Sequence, residues 1–557
     1  MRPRQLHKGP GIVVVVFFAG ALLLPILQAA ELKPVLTVST ANPETLYRLA
    51  ERIAALVGTP EDFRDVTRPY RELKGMAPKN PLLFVLYGDN EGGFQPLIFL
   101  PIDDFNEVEI PGFDVLRTLF KKEGEKLLVD SPMGTSIVTQ KKGYLVFSPE
   151  SSDMPIPDDP SEFLKGLELF SLGVRLDTEH TSADAIQGLL APIKRLIAVQ
   201  VDRDEMLVPM FEQLNSVVER MCEETRSITC GLTMDMRNAD VSFRTTVVAR
   251  PDSKAEKELA FLKNARSKFG GFLGDDNAVI SLSSVKVGFA MPESQIDQLF
   301  KGILELVGES VDAQLAHTVA ASAKKILLAI AKLTEFDFGC SLSNDGTFAL
   351  GMTLAESKEL EKIGSLIRGH LEKPASDDNL AKIFKKVKIN YDSLDGFQLS
   401  SVVLPLKEHV SEKETTPFPR FLATQTLYVY WGIKDDAFVL MGGFNPKTED
   451  IFKAAIDAMK NPVGASGGGS GKFSMWQLGV LMQKYRINQL SPMAGWMVQA
   501  CIGAGPEANI TLVQDIDQTS VVRTIWISGR IWQTLSRIVA GVDQSTGPPS
   551  RKIRDFL

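Results

Sequence analysis

Residues 464–474, GASGGGSGKFS, have the composition of a loop that binds nucleotide phosphates. Glycine lets backbone N–H groups approach phosphate oxygens, and a lysine such as Lys472 would reach the terminal phosphates. The P-loop pattern G-x-x-x-x-G-K-[ST], however, requires glycine where this chain has Ser466 and serine or threonine where it has Phe473. The segment before the glycines also predicts a helix, whereas a P-loop follows a strand. We therefore predict a flexible Gly/Ser linker over residues 462–472 and no nucleotide cofactor.

Metal-binding and catalytic patterns are weak along the whole chain. The five histidines are not at zinc-ligand spacing, and neither H-E-x-x-H nor C-x-x-C occurs. His180, Ser182 and Asp184 are close in sequence, but the members of a catalytic triad must converge in space, so a polar loop before a capped helix is favoured. We therefore predict no catalytic, cofactor-binding or metal-binding residue.

The tryptophans are confined to the last part of the sequence, after residue 430. Core packing of the last part of the chain is the favoured explanation of this asymmetry. The alternative is an aromatic binding surface for a partner, a glycan or a lipid. The residues concerned are Trp431, Trp476, Trp496, Trp526 and Trp532.

Four cysteines are too few for a disulfide scaffold in a chain of 557 residues. Cys222 and Cys230 are close in sequence and could form a local disulfide in an oxidising compartment. The alternative is that all four cysteines are small buried apolar residues.

The N-terminus has the layout of a secretory signal peptide. Three basic residues precede an uninterrupted apolar run at 12–24, and small residues suited to cleavage follow at 28–30. The apolar run is shorter than the ~20 residues of a membrane span, so residues 1–30 are predicted to be a signal peptide, with an uncleaved N-terminal anchor as the alternative. No later segment is predicted to span a membrane. The protein is therefore expected in the periplasm or outside the cell.

Charge argues against one class of partner. The formal net charge is −8, and removal of residues 1–30 would take away basic residues but no acidic one. Nucleic-acid affinity comes from basic residues that neutralise phosphates. We therefore predict no nucleic-acid partner.

A strand–helix unit recurs in the sequence. Residues 41–58 and 290–308 both begin Ala-x-Pro-Glu followed by Thr or Ser, continue with apolar residues at helical spacing, and follow strand-like runs. Weaker versions occur at 248–263 and 443–459. Proline suits the first turn of a helix and Ser or Thr caps it, so these segments predict junctions between strands and helices.

Turn residues between strand-like runs predict six antiparallel hairpins. The turns lie at 89–93, 142–143, 344–346 and 435–436 and near Asn238 and Asp517.

These patterns predict an α+β fold of internally repeated antiparallel β-hairpin/helix units, with sheets covered by helices. The expected organisation is a signal peptide (1–30), a first repeat domain (31–270), a second repeat domain (278–461), the linker (462–472), a C-terminal α+β extension (473–541) and a loose tail (542–557).

The layout resembles a group of exported proteins of planctomycete bacteria. The likeness rests on Phe99-Leu100-Pro101 after an apolar strand, on GYLVFS at 143–148 and on DPSEFL at 159–164. It covers most of residues 35–460 and implies export and a fold, but no activity.

Taken together, the sequence favours an exported non-enzymatic protein of the cell envelope that binds a protein, a polymer or an apolar ligand. Two alternatives stay open. One is an exported hydrolase with a dispersed site, and the other is a periplasmic carrier of lipids or lipoproteins in which a curved sheet holds acyl chains under helices.

Overall fold

Alternation of apolar and polar residues sends successive side chains to opposite faces of a sheet, and this alternation recurs along the chain. A computed structural model of the protein describes residues 33–40, 48, 51, 77, 80–88, 94–103, 120–123, 126–131, 134–141, 143–150, 156–179, 181, 183–188, 218–235, 237–273, 277–287, 313–330, 333, 335–355, 358–359, 362, 365, 386–406, 424–460 and 469–545.

The strands in these residues are β1 (Lys33–Thr40), β2 (Leu82–Gly88), β3 (Phe94–Pro101), β4 (Phe120–Glu123), β5 (Lys126–Ser131), β6 (Gly134–Lys141), β7 (Tyr144–Pro149), β8 (Leu172–Asp177), β9 (Thr225–Asp235), β10 (Asp240–Ala249), β11 (Ala278–Val287), β12 (Glu335–Ser343), β13 (Phe348–Thr353), β14 (Val387–Leu394), β15 (Phe397–Pro405), β16 (Thr426–Lys434), β17 (Ala437–Gly443), β18 (Ser470–Ser474), β19 (Asn509–Ile516) and β20 (Ser520–Ile527).

The helices are α1 (Ser161–Leu164), α2 (Lys254–Leu262), α3 (Gly270–Leu273), α4 (Ala313–Ile330), α5 (Thr448–Ala458), α6 (Met475–Lys484), α7 (Pro492–Gly503) and α8 (Gly529–Ser545), with a 3₁₀ helix at Ile487–Gln489. Residues 183–188 and 218–224 are also helical.

The chain divides into two units. Unit 1 comprises residues 1–259 and 517–532, and unit 2 comprises residues 260–516 and 533–557. Neighbouring strands within each unit are antiparallel. The strand order of unit 1 is β4-β5-β6-β7-β3-β2-β1-β8-β9-β10-β20, and that of unit 2 is β19-β18-β11-β12-β13-β17-β16-β15-β14.

The same irregularity occurs in both sheets. The register of the β1–β2 pair shifts between Pro34 and Leu36, and the register of the β11–β12 pair shifts between Ala278 and Ile280. The shift lies near the start of β1 in unit 1 and near the start of β11 in unit 2. A β-bulge of this kind bends its strand and increases the local twist.

Strand β20 completes the unit 1 sheet by pairing with β10. In the middle of this pair, Arg244 lies opposite Thr524 and Thr245 lies opposite Arg523. The same Arg-Thr dipeptide therefore occurs on both strands and pairs with its own copy in the reverse direction.

One face of the unit 2 sheet is buried under α3 and α5. Phe272 from α3 and Phe452 and Ile456 from α5 pack in one cluster with the sheet residues Leu399 and Val439, all of them 3% exposed or less. Full burial of apolar side chains of this size contributes about 1.5–3 kcal/mol each. This cluster is the core of unit 2.

Unit 1 buries the corresponding face of its sheet under α1. Phe163 from α1 lies 6.2 Å from Tyr87 and 5.7 Å from Phe99, measured between ring centroids. The cluster also contains Leu83 and Leu97, both of them fully buried.

The predicted α+β class is confirmed, because each unit combines an antiparallel sheet with helices. The strands on either side of the turns predicted at 89–93, 142–143, 344–346 and 435–436 and near Asn238 form the antiparallel pairs β2–β3, β6–β7, β12–β13, β16–β17 and β9–β10. At the sixth predicted turn, the N–H of Asp517 donates to the carbonyl oxygen of Ser520 at 2.8 Å.

Two predicted irregular segments are shorter than expected. Residues 470–472, the end of the predicted linker, lie in β18, where Lys472 pairs with Ser281 and Thr511. Residues 462–468 lie outside the described residues. The predicted tail also begins later than residue 542, because α8 continues to Ser545.

Several predictions fall on residues that the structure does not describe. These are the signal peptide at 1–30 and most of the helices predicted at 41–58 and 290–308. Within 41–58, Arg48 and Glu51 are described and are helical.

A glycine in β13 makes room for an aromatic ring in the unit 2 core. A Cβ at Gly351 would lie 2.3 Å from a ring carbon of Phe269, and Phe269 is fully buried. We expect Gly351→Ala to lower the free energy of unfolding by about 1–3 kcal/mol, the usual cost of overpacking, in urea denaturation. Gly188→Ala is the control, because a Cβ there meets nothing within 4 Å. An equal loss in both variants would contradict this account.

Candidate functional site

The second face of the unit 2 sheet is apolar along two adjacent rows of side chains. Directly opposed residues of antiparallel strands point to the same face, so the register defines the rows. One row runs through Ile510, Phe473, Ile280, Leu342 and Phe348, and the next runs through Leu512, Gly471, Leu282, Cys340, Leu350, Leu440 and Trp431. Neither row contains a charged residue. These two rows are called the apolar face.

The apolar face is partly exposed. Ile280 and Leu282, on the interior strand β11, are 43% and 37% exposed, and the other members are half-buried. Beyond one end of the face, Ile326 and Ile330 of α4 pack over sheet residues that include Phe338. A solvated face of an antiparallel sheet normally carries polar side chains. Uncharged rows with exposed Ile and Leu on an interior strand are therefore a candidate binding surface.

The matching place in unit 1 is better covered. On β1, which lies between β2 and β8 as β11 lies between β12 and β18, Val38 is 6% exposed. Leu36 and Leu176 pack in one cluster with Ala185, which belongs to the helical residues 183–188. Exposed Ile and Leu side chains therefore occur on β11 of unit 2 and not on β1 of unit 1.

The predicted tryptophan surface is divided between the units. Trp431, Trp476 and Trp496 belong to unit 2, and Trp526 and Trp532 belong to unit 1. Of the five, Trp431 is the member of the apolar face. Trp496 and Trp526 are 46% and 43% exposed, whereas Trp532 packs into a hydrophobic cluster of unit 1.

The disulfide predicted between Cys222 and Cys230 is not formed, and both residues are free thiols. Cys230 lies five residues into β9, which begins at Thr225, so a rise of ~3.3 Å per residue carries it far from the preceding helix. The Cα atoms of a disulfide lie within ~7 Å. Burial raises the pKa of the Cys222 thiol, which disfavours the reactive thiolate.

Cys340, on the apolar face, is also a free thiol. Burial raises its pKa. It therefore serves the face as a small apolar side chain and has no feature of a nucleophile.

A cluster of titratable side chains joins α5 to the β14–β15 hairpin of unit 2. The Tyr391 hydroxyl donates to Glu449 Oε1 at 3.2 Å, and Lys453 Nζ lies 3.0 Å from Glu449 and 3.2 Å from Asp392. Burial, aided by the charge of Glu449, raises the pKa of Tyr391 and of Tyr430 to about 12. Hydrogen bonds to the two carboxylates raise the pKa of Lys453. Catalysis needs pKa values near the working pH, so these shifts indicate a structural role.

Asp337 on β12 is a buried carboxyl, 1% exposed. One oxygen accepts from Ser267 Oγ at 2.7 Å, and the other accepts from the backbone N–H of Lys268 at 2.5 Å. Burial raises its pKa, while the hydrogen bonds from Ser267 and Lys268 act in the opposite direction. The carboxyl attaches the segment before α3 to the sheet.

Within the described part of the chain, no group of three or more His, Cys, Asp or Glu side chains is placed to hold a metal ion. Among the helices of the described ranges, none is long and apolar enough to cross a membrane.

Comparisons with protein-family models, with curated proteins and with solved structures found no match.

Sequence reasoning missed the apolar face, although β11 carries a signal for it. The run AVISLSSV alternates apolar residues with serine, which predicts a strand with one apolar face. It does not say whether that face is covered, because coverage depends on helices far away in sequence.

The Asp337 carboxyl should make stability depend on pH in a defined direction. Its folded-state pKa is raised above the ordinary value of 3.8, so its contribution to stability is full below pH 3.8 and is lost as the pH rises through the raised value. Asp337→Asn cannot ionise. We expect the free energy of unfolding of the wild type, minus that of Asp337→Asn, to fall as the pH rises from about 3.8. Urea unfolding at a series of pH values measures this difference, and a pH-independent difference would exclude the titration.

Proposed function

We propose that the protein is an exported, non-enzymatic binding protein of the cell envelope that takes an apolar ligand on the apolar face of unit 2. The observation that carries the proposal is the exposure of Ile280 and Leu282, at 43% and 37%, on an interior strand where they belong to the two uncharged rows. Covering apolar surface yields about 25 cal/mol per Å². A ligand with apolar surface would therefore gain free energy here without desolvating a charge of these rows.

A lipid carrier is the more specific candidate, and the length of the apolar face favours it. The row from Leu512 to Trp431 crosses seven strands. At a spacing of ~4.8 Å between strands, this row is about 29 Å long. Such a length suits an extended acyl chain better than a compact ligand.

We also infer that the chain contains two copies of one ten-stranded module, β1–β10 and β11–β20. Apart from β9–β10, each described strand pair of β1–β10 has its counterpart ten numbers later in unit 2, and the register shift of the β1–β2 pair recurs in the β11–β12 pair. The N–H of Ile102 donates to the carbonyl oxygen of Gly143, and that of Leu354 donates to Asp436 at the matching turn. On this proposal residues 473–541, predicted as an extension, hold the last strands of the second copy.

Export rests on the sequence pattern of residues 1–30 and on the resemblance to exported planctomycete proteins. Both stay predictions. A protein or a polymer as the ligand would fit the same compartment, and either would need an apolar segment to match the uncharged rows.

An exported hydrolase is the remaining alternative. The titratable clusters around Glu449 and Asp337 do not favour it, because their pKa shifts suit structural contacts. A hydrolase would need a nucleophile or a base with a pKa near neutrality in an accessible cleft.

Replacement of both exposed residues tests the ligand site. The double variant Ile280→Thr/Leu282→Thr keeps one β-branched residue and adds another, so the strand should persist, while the face loses apolar area. We expect the affinity for a neutral apolar probe, N-phenyl-1-naphthylamine, to fall roughly tenfold, measured by fluorescence titration. Native mass spectrometry of the protein purified from its own envelope should show a retained lipid that the double variant lacks.

Ile451→Thr is the matched control for this experiment. Ile451 is 38% exposed and lies on α5, on the opposite side of the sheet from the apolar face. Its replacement should leave probe binding unchanged. Equal affinity of the double variant and the wild type, with both folded by circular dichroism, would remove the apolar face as the binding site.

A further inference from the structure

A second exposed apolar surface lies at the start of α7 in unit 2. Leu490, Met493 and Trp496 are 41%, 51% and 46% exposed. Met493 and Trp496 are three residues apart on the helix and therefore neighbours on its surface. Leu490 precedes Ser491, whose side chain caps α7 by accepting from the N–H of Ala494 at 3.0 Å. The cap stabilises the first turn of the helix that carries Met493 and Trp496.

The opposite side of α7 is already packed. Val498 and Cys501 are buried, and a Cβ at Gly479 of α6 would lie 2.9 Å from Cys501 Cβ. The glycine thus lets the two helices approach closely. Helix α7 contains no charged residue, and a helix that is apolar on most sides is normally covered on most sides.

The charges around this surface favour one kind of partner. No acidic residue occurs between Met475 and Gly503, in a chain with 69 acidic residues among 557. The two charged residues in this segment are Lys484 and Arg486, and both are exposed. Lys484 Nζ donates to the carbonyl oxygen of Asp345 at 3.3 Å. A segment that carries exposed Leu, Met and Trp together with two exposed basic residues and no acidic residue matches an anionic lipid surface.

We propose that Leu490, Met493 and Trp496 insert into the interfacial layer of an anionic phospholipid bilayer, with Lys484 and Arg486 against the headgroups. The three apolar residues are called the α7 surface. Tryptophan is suited to this layer, because its ring is apolar and its N–H can meet the polar region. Helix α7, with 12 residues, is shorter than a span and lies along the interface. This proposal does not depend on a ligand at the apolar face.

Vesicle flotation of the full chain tests the proposal. Wild-type protein should float with phosphatidylcholine vesicles that contain phosphatidylglycerol, and less with phosphatidylcholine alone or at high salt. Trp496→Ser and Met493→Ser should each lower the apparent affinity for the anionic vesicles roughly tenfold, the loss expected when one large apolar side chain leaves the interface. Arg486→Asn should weaken binding to the anionic vesicles selectively, and asparagine tolerates the left-handed backbone at residue 486, where φ is 54°.

Ile451→Ser is the matched control, since this exposed residue lies on a different helix, and its vesicle binding should equal that of the wild type. Thermal unfolding shows whether each variant is folded. If the wild type does not float, or if Ile451→Ser and Trp496→Ser lose binding equally, the proposal is wrong. Self-association that Trp496→Ser abolishes, without flotation, would assign the surface to a second copy of the chain and would also overturn it.

Discussion

A sheet has two faces, and an apolar face gains hydrophobic free energy only where something covers it. In unit 2, α3 and α5 bury one face around Phe452 and Val439, while α4 packs beyond one end of the other face. The backbone hydrogen bonds are satisfied inside the ladder in either case. The sheet can therefore persist with one face partly uncovered. Burial of that face by an apolar partner would still be favourable.

The two sheets solve one packing problem in different ways. On β3 of unit 1, Phe99 lies opposite Val146 and is fully buried. On β13 of unit 2, the residue opposite Val439 is Gly351, and the ring that fills the space comes from Phe269. An aromatic ring fills the space in both sheets, supplied by the strand itself in unit 1 and by Phe269 in unit 2.

This exchange explains how much of the fold could be predicted from the sequence. Hairpins were predictable because a turn such as Asn344-Asp345-Gly346 is local and its chemistry is specific. The strand correspondence that we propose between the two copies was not predictable beyond the opening units, because on that proposal one position changes from Phe99 to Gly351 while the core stays filled. The apolar face was missed for a related reason, since the exposure of Ile280 depends on helices distant in sequence. The Cys222–Cys230 disulfide was predicted from closeness in sequence. The residues of β9 before Cys230 are extended and separate the two thiols.

The pairing of β10 with β20 has a consequence for the order of events during synthesis. Arg244 and its partner Thr524 are about 280 residues apart, so the closing strand of unit 1 emerges from the ribosome long after its partner strand. Until then the edge of β10 is open, and an open edge is a template for pairing with another chain. Contacts this distant in sequence also form slowly. A nascent chain of this architecture would need its β10 edge shielded, by a chaperone or by delayed folding, until the C-terminal strand arrives.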